Sequence, residues 1–169
     1  DAHSLSKWDS CVWTTLSYTN TLGGGYRAVE PYGSGVVLGG DFATSLKYVT
    51  WFDGTSLHQL GSNIIDQASG NGVYAIKVIN GNVHIGGQFG GIGGNASIQH
   101  IAQLAGTNWV QVGNGLNGKV RAMAVTQGEL YVGGEFTSAG GNSDIKYLAR
   151  LSGANWVAVG GGVNGPVHA

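Results

Sequence analysis

Seven polar side chains stand at two positions that recur along this 169-residue chain at intervals of 47 residues. One position precedes an alanine in four similar segments, and the other follows a Gly-Gly pair in three of them. The first holds Arg27, Tyr74, Arg121 and His168, and the second holds Asp41, Gln88 and Glu135. Gathered at one place, such donors and acceptors would bind a polar ligand or the loop of a partner protein. Two alternatives stay open. In the first, these residues are simply the positions of a strand that point outward, and they bind nothing. In the second, they form arginine–carboxylate pairs, such as Arg121 with Glu135, that satisfy each other and leave no binding site.

Asparagines in the similar loops NGLNGK and GGVNGP are further candidates for ligand binding: Asn114, Asn117 and Asn164. Their amides suit the hydroxyl groups of a glycan, but no exposed aromatic side chain accompanies them. This favours a protein partner or a structural role over a lectin-like one. Asn95 opens the sequon Asn95-Ala96-Ser97, which is an acceptor for N-glycosylation in a secreted eukaryotic protein.

Catalytic and metal-binding patterns are absent from the sequence. The five histidines share no metal-ligand spacing, and no acidic calcium loop or phosphate-binding loop occurs. Asp41 and Glu135 could serve as a glycosidase pair only at a fixed separation, which the sequence does not supply. The single Cys11 has no partner for a disulfide and is expected to be a small buried apolar residue. We therefore predict no catalytic residue, no metal and no cofactor.

The composition excludes several classes of protein. A net charge of −1 with dispersed Lys and Arg removes the electrostatic basis for binding nucleic acid. No apolar run approaches the roughly 18 residues of a membrane span. With 32 glycines, 2 prolines and 42% apolar residues the chain can build a core, and its glycines lack the collagen period. Few charges with many Gly, Asn, Ser and Thr favour an extracellular or cell-surface location.

The 47-residue period organises the whole chain. The pairs Gly39-Gly40, Gly86-Gly87 and Gly133-Gly134 mark it. A closing tryptophan recurs at Trp13, Trp109 and Trp156, with Leu57 in its place in the second copy.

Each unit is predicted to hold four short strands. Asn80-Gly81 and Gln127-Gly128 indicate tight hairpins between the first and second strands. Units of this size predict an all-β fold of the β-propeller type, built from four-stranded antiparallel blades with aromatic and aliphatic residues between them. A β-trefoil is the alternative, but it predicts three copies where this chain has four hairpin copies.

The period divides the chain into blades. A partial blade covers 1–25, complete blades cover 26–72, 73–119 and 120–166, and residues 167–169 begin another. About 3.6 blades make an incomplete ring, so we expect further blades of the same or another chain as partners. In the blade 26–72, the loop after Gly-Gly is five residues shorter than in the other blades, and the connection to the next blade is five residues longer. Both changes are expected on one face of the disc.

The segment LYVGGEFTSAGG…YLARLSGANWVAVGGG resembles the GGxF-type repeat of secreted β-propellers. That family is similar to kelch and galactose-oxidase-type propellers, to bacterial surface propellers and to fungal cortical polarity markers. The resemblance covers nearly the whole chain, with one departure where His100 stands in place of Tyr48 and Tyr147. It implies a fold and an interaction or scaffold role, but no particular reaction. A carbohydrate-binding propeller is the alternative function, and a propeller-fold glycosidase or oxidase is a distant one.

Overall fold

The computed structural model describes residues 6–9, 11–15, 24–42, 48–62 and 72–169, where every regular element is a β-strand. The strands are β1 Ser6–Asp9, β2 Val12–Thr15, β3 Tyr26–Tyr32, β4 Gly35–Gly40, β5 Val49–Phe52, β6 Leu57–Gln59, β7 Gly72–Ile79, β8 Asn82–Gln88, β9 Ile101–Ala105, β10 Asn108–Gln111, β11 Val120–Thr126, β12 Glu129–Gly134, β13 Leu148–Ser152 and β14 Asn155–Ala158. These described ranges hold no helix, which confirms the all-β prediction.

The strands form three antiparallel sheets of four strands each: β3–β6, β7–β10 and β11–β14. In every sheet the strands lie in the order in which they occur in the chain, and each strand pairs antiparallel with its immediate neighbour in the sequence. β1 and β2 form a separate antiparallel hairpin. Each four-stranded sheet is formed by a stretch of fewer than 47 consecutive residues.

Tight turns join the first and second strands as the sequence predicts. The backbone φ angles are 50° at Asn80 and 79° at Gly81, and 52° at Gln127 and 78° at Gly128. Positive φ at both central residues is the signature of a type I′ turn, whose twist matches that of paired strands. Glycine and asparagine adopt this conformation at low cost, whereas Gln127 is a less usual residue for it. The two turns fix the register of β7 with β8 and of β11 with β12.

The core lies between the sheets. β7 packs against β3 on one side and against β11 on the other. One apolar cluster joins residues of β4 and β5 to the β7–β10 sheet, and a second joins Ile101 and Val112 to the β11–β14 sheet. The phenylalanines that follow each Gly-Gly pair have no exposed surface, and two closing tryptophans are nearly buried: Phe42, Phe89 and Phe136, and Trp109 and Trp156.

One expectation about the core is wrong. Cys11 is exposed, because it lies in the turn between β1 and β2, beyond the last paired residues Asp9 and Val12. A residue at the tip of a hairpin projects past the face on which a sheet packs. The Trp13 side chain lies outside the described part of the structure. So do residues 43–47 and 63–71, within the two loops whose lengths change, and whether those changes share one face stays a prediction.

Two histidines are placed where burial opposes their protonation. His84 on β8 is 5% exposed, and its Nδ1 lies 3.1 Å from the Asn82 carbonyl oxygen. Desolvation lowers the pKa of His84 below its ordinary value, against the opposing hydrogen bonds. Desolvation also lowers the pKa of half-buried His100, and the nearby charge of Lys119 adds to that effect.

We expect stability to fall as the pH drops below about 6.5, the ordinary pKa of histidine. Below that pH the histidines are protonated in the unfolded chain but stay neutral in the folded chain. Each histidine then lowers the free energy of unfolding by up to about 1.4 kcal/mol per pH unit. Urea unfolding between pH 8 and pH 5 measures this, at pH values where carboxylates with lowered pKa stay ionised. The variant His84→Gln should flatten the dependence, and a flat wild-type profile would contradict the account.

Candidate functional site

The recurring polar position of the first strand is a β-bulge in all three sheets. In β3 and β4, Tyr26 pairs with Gly40 and Ala28 pairs with Gly39, so that Arg27 is the extra residue. The same shift occurs at Tyr74 and at Arg121. A bulge turns its extra side chain away from the regular alternation of the strand. The three side chains are therefore aimed by the same backbone irregularity.

The Gly-Gly pair opposite the bulge has two separate functions. At its second position, a Cβ would collide with a main-chain carbonyl oxygen, that of Gly72 for Gly87 and that of Lys119 for Gly134. Only glycine admits so close an approach of the two strands.

The first glycine of each pair lets the next sheet approach. A Cβ on Gly39 would lie 2.6 Å from Val73 Cγ1, and one on Gly86 would lie 2.5 Å from Val120 Cγ1. Val73 is the second residue of β7 and Val120 is the first residue of β11, and each of these is the first strand of the following sheet. Gly133 has the same relation to Val167, at 2.6 Å. The Gly-Gly motif thus joins the bulge within one sheet to the packing between neighbouring sheets.

The bulge residues of the three sheets stack on one another. The guanidinium carbon of Arg27 lies 5.5 Å from the centre of the Tyr74 ring, and that of Arg121 lies 5.3 Å from it. Both distances are within the range of a cation–π contact. We call Arg27, Tyr74 and Arg121 the arginine–tyrosine ladder. It connects the three sheets along their first strands.

Carboxylates neutralise both arginines of the ladder. Arg27 Nη2 donates to Asp41 Oδ2 at 2.7 Å, and the Gly25 amide donates to Asp41 Oδ1 at 2.6 Å. Arg121 donates to Glu135 Oε1 from Nε at 2.8 Å and from Nη2 at 2.5 Å. Lys119 Nζ lies 3.6 Å from the other oxygen of Glu135.

The pKa values of both carboxyls follow from these contacts. The hydrogen bond from Arg121 lowers the pKa of Glu135 below its ordinary value. Burial by itself would raise the pKa of Asp41, but the hydrogen bonds from Arg27 and the Gly25 amide outweigh it and lower the pKa. A general acid needs a raised pKa, so neither carboxyl suits that role in a glycosidase.

The structure brings five of the seven candidate residues into one network, and it realises the arginine–carboxylate pairing that the sequence analysis held as an alternative. The other two lie apart from the contacts just described. Gln88 is half-buried at the end of β8, where it pairs in register with Gly72. His168 is exposed beyond Val167.

The pairing of Arg121 with Glu135 is expected to show a coupling energy of about 1 kcal/mol, because Glu135 Oε1 accepts two charge-assisted hydrogen bonds from Arg121 and Lys119 lies beside the other oxygen. Arg150 and Glu129 form the matched control, because they also pair arginine with glutamate across strands. A double-mutant cycle by urea unfolding with Arg121→Gln and Glu135→Gln measures the coupling. A value no larger than that of the control pair would contradict the prediction.

Asn117, in the predicted binding loop, also has backbone partners. Asn117 Oδ1 accepts from the amides of Thr137 and Ser138, both at 2.8 Å, and its Nδ2 donates to Thr137 Oγ1 at 3.0 Å. Asn117 thus joins the loop after β10 to the loop after β12. Asn114 has a φ of 59°, a conformation that asparagine tolerates better than most residues.

A small polar cavity lies beside this loop. Its volume is about 230 Å³, and the residues that line it include Ser97, Gln99, Gln111, Asn114, Asn117 and Ser138, which have amide or hydroxyl side chains. Asn95 is exposed and lies two residues before Ser97 in the sequence. Its Oδ1 accepts a hydrogen bond from the Ser97 amide at 2.9 Å. Asn164, the counterpart of Asn117 one period later, is exposed.

One contact that joins neighbouring sheets is missing from the sequence prediction. Gly113 lies under the Trp156 ring, where a Cβ would be 2.6 Å from Nε1, and Gly61 lies in the same way under Trp109. Both glycines have positive φ, 56° and 67°. The first precedes its tryptophan by 43 residues and the second by 48, so the longer connection hides the match from a search at period 47.

In the described part of the chain, no group of three or more His, Cys, Asp and Glu side chains could hold a metal ion. Within the same residues, no helix is long and apolar enough to cross a membrane.

Comparison with known proteins adds no family assignment. No model of a known protein family matches the chain, and no curated protein matches it in sequence.

Proposed function

We propose that the chain is a non-catalytic segment of a β-propeller that acts as an extracellular or cell-surface scaffold, with a protein or further blades as its partner. In this proposal the three four-stranded sheets are blades, and their first strands line the axis. A structural or protein-binding role then rests on the packing of one sheet against the next.

The arrangement of the sheets supports the propeller. A four-stranded sheet cannot cover its own two faces, and here each neighbour covers one of them. Adjacent first strands with apolar clusters between whole sheets are what successive blades require. Separate four-stranded sheets disfavour the β-trefoil. The GGxF-type repeat resemblance and the composition support secretion or surface display.

The observation that carries the non-catalytic scaffold is the network around the arginine–tyrosine ladder. Its two arginines are already engaged by Asp41, Glu135 and the Tyr74 ring. Charged groups that satisfy one another across three sheets hold the sheets together, and they leave less capacity for a ligand. The lowered pKa values of both carboxyls also disfavour the distant glycosidase alternative.

The polar cavity favours carbohydrate binding as the second candidate. Its lining carries amide and hydroxyl groups without a formal charge, which matches a neutral sugar. Against this, Asn117 already uses its amide to hold the neighbouring loop. The cavity therefore ranks below the scaffold.

A glycan array with the whole chain separates the two candidates. The scaffold predicts no glycan bound with micromolar to millimolar affinity. Carbohydrate binding predicts a hit that Gln111→Leu abolishes, because Gln111 lines the cavity. The control Gln59→Leu alters an exposed glutamine on β6 outside that lining and should leave such a hit unchanged. A hit with this pattern would overturn the scaffold in favour of the lectin.

A further inference from the structure

We propose that the outer face of the β11–β14 sheet is a docking surface for one more four-stranded unit of the same repeat, whose first strand begins at Val167. We call this surface the terminal face and define it by Gly133, Leu148, Gly160 and Asn164. The inference rests on the proposed function, and it names the partner that the scaffold takes. Four features carry it: three of them occur at both inner junctions, and the fourth occurs at the junction between the second and third sheets.

The first feature is the place beside the first glycine of each Gly-Gly pair, where the first strand of the next sheet packs. We call this place the valine seat. At the inner junctions, Gly39 faces Val73 and Ile76, and Gly86 faces Val120 and Met123. At the terminal face, Gly133 faces Val167, whose amide donates to the Gly134 carbonyl oxygen at 3.1 Å. The chain has therefore placed the first residue of the next strand in the same seat.

The second feature concerns the residue that opens the third strand of each sheet. Val49 and Ile101 hold this position in the first two sheets and are 3% and 0% exposed, because the following sheet covers them. Leu148 holds it in the third sheet and is only half-buried. It lines an apolar groove of about 140 Å³ together with Tyr131 and Val167. A further sheet would bury this leucine as the inner junctions bury its counterparts.

The third feature is the seat of the fourth-strand tryptophan. Gly61 lies under Trp109 and Gly113 under Trp156, both with positive φ. Gly160, one period after Gly113, repeats the conformation with a φ of 57°, and no atom lies within 4 Å of the place of its Cβ. The backbone is already shaped to receive the tryptophan of another unit.

The fourth feature is an asparagine side chain that binds backbone amides of the following unit. Asn117 holds the amides of Thr137 and Ser138 in the following unit. Asn164 is its counterpart one period later and is exposed in the same Asn-Gly sequence. It can offer the same amide to the equivalent loop of a docked unit.

The occupied valine seat decides which partner fits. The sheet β3–β6 of a second copy would present Tyr26 where β7 and β11 present valines, and Tyr26 already packs edge-on against Phe42 at 5.7 Å between ring centres. Val167 also fills the seat at Gly133. The geometry therefore favours a unit that continues in register from Ala169 over a second copy that binds through β3.

An extended chain tests the proposal. A copy of residues 123–169 is appended after Ala169. Ala169 stands one period after Ala122, so a copy that starts at Met123 continues the 47-residue repeat without a break. We expect a monomer in which backbone amides of β13 and β14 exchange about tenfold more slowly with deuterium and the added strands are protected. The substitution Leu148→Asp in the extended chain should abolish this gain, because docking would bury an unpaired carboxylate. Leu148→Met is the matched control and should keep it.

Two results would overturn the proposal. One is an added unit that exchanges freely and leaves β13 and β14 unchanged. The other is a chain of 169 residues that dimerises in light scattering and loses the dimer in Leu148→Asp, which would make a second copy the occupant. Neither result affects the glycan array, so failure of this inference is distinguishable from failure of the proposed scaffold.

Discussion

Replacing Gly134 with alanine is expected to lower the free energy of unfolding by about 3 kcal/mol or more. The added Cβ would fall inside the van der Waals radius of the Lys119 carbonyl oxygen and 3.0 Å from its carbon. That oxygen also accepts the Glu135 amide at 2.8 Å, so relief of the collision would break a hydrogen bond beside the bulge. Because the obstacle is backbone, no change of rotamer can relieve it. Urea unfolding followed by tryptophan fluorescence measures the loss.

Gly161→Ala is the matched control. No atom lies within 4 Å of the position of its Cβ, and its φ is not positive, so we expect a change within about 0.5 kcal/mol. Equal stability of the two variants would show that the close approach of β11 and β12 at Gly134 is not a feature of the folded chain.

Replacing Phe136 with alanine is expected to cost about 3–5 kcal/mol. Phe136 has no exposed surface and belongs to the apolar cluster between the second and third sheets. Its removal leaves a cavity that the surrounding strands, fixed by their ladders, cannot close. The same unfolding experiment measures the cost, and Phe136→Leu should lose clearly less because it keeps most of the volume.

Val163→Ala provides the surface control for Phe136→Ala. Val163 is 40% exposed and lies outside the apolar clusters, so its truncation should have little effect. A loss below about 1 kcal/mol for Phe136→Ala would place this phenylalanine outside the core. It would then contradict the account of the GGxF motif as a device for packing between sheets.

Local features of the fold were readable from the sequence. Asn80-Gly81 specifies a type I′ turn by itself, because asparagine and glycine are among the few residues that accept positive φ. Gln127-Gly128 shares only the glycine of that signal. The 47-residue period and the alternating strands likewise predict sheets of four strands. These signals need no knowledge of which residues meet in space.

The candidate site was only partly readable. The period identifies Arg27, Tyr74 and Arg121 as equivalent, and the Gly-Gly pairs mark places of close approach. Which strands approach there, and that the three side chains stack as a result, cannot be derived from the residue types alone. The contact of Gly61 with Trp109 was hidden because a connection of changed length breaks the period. Cys11 was expected in the core because cysteine is usually buried, whereas its place in a turn decides its exposure.

The central claim is that the recurring features of this chain join each sheet to the next. The substitution Gly86→Val tests this claim most directly. A Cβ at position 86 would lie 2.5 Å from Val120 Cγ1 and from Met123 Cε, both in the following sheet. Hydrogen–deuterium exchange of Gly86→Val, compared with the unaltered chain, is the decisive measurement. We predict faster exchange both in β7–β10 and in β11–β14, with β3 and β4 affected less. Faster exchange confined to β8 and its own neighbours, with β11 and β12 unchanged, would contradict the claim.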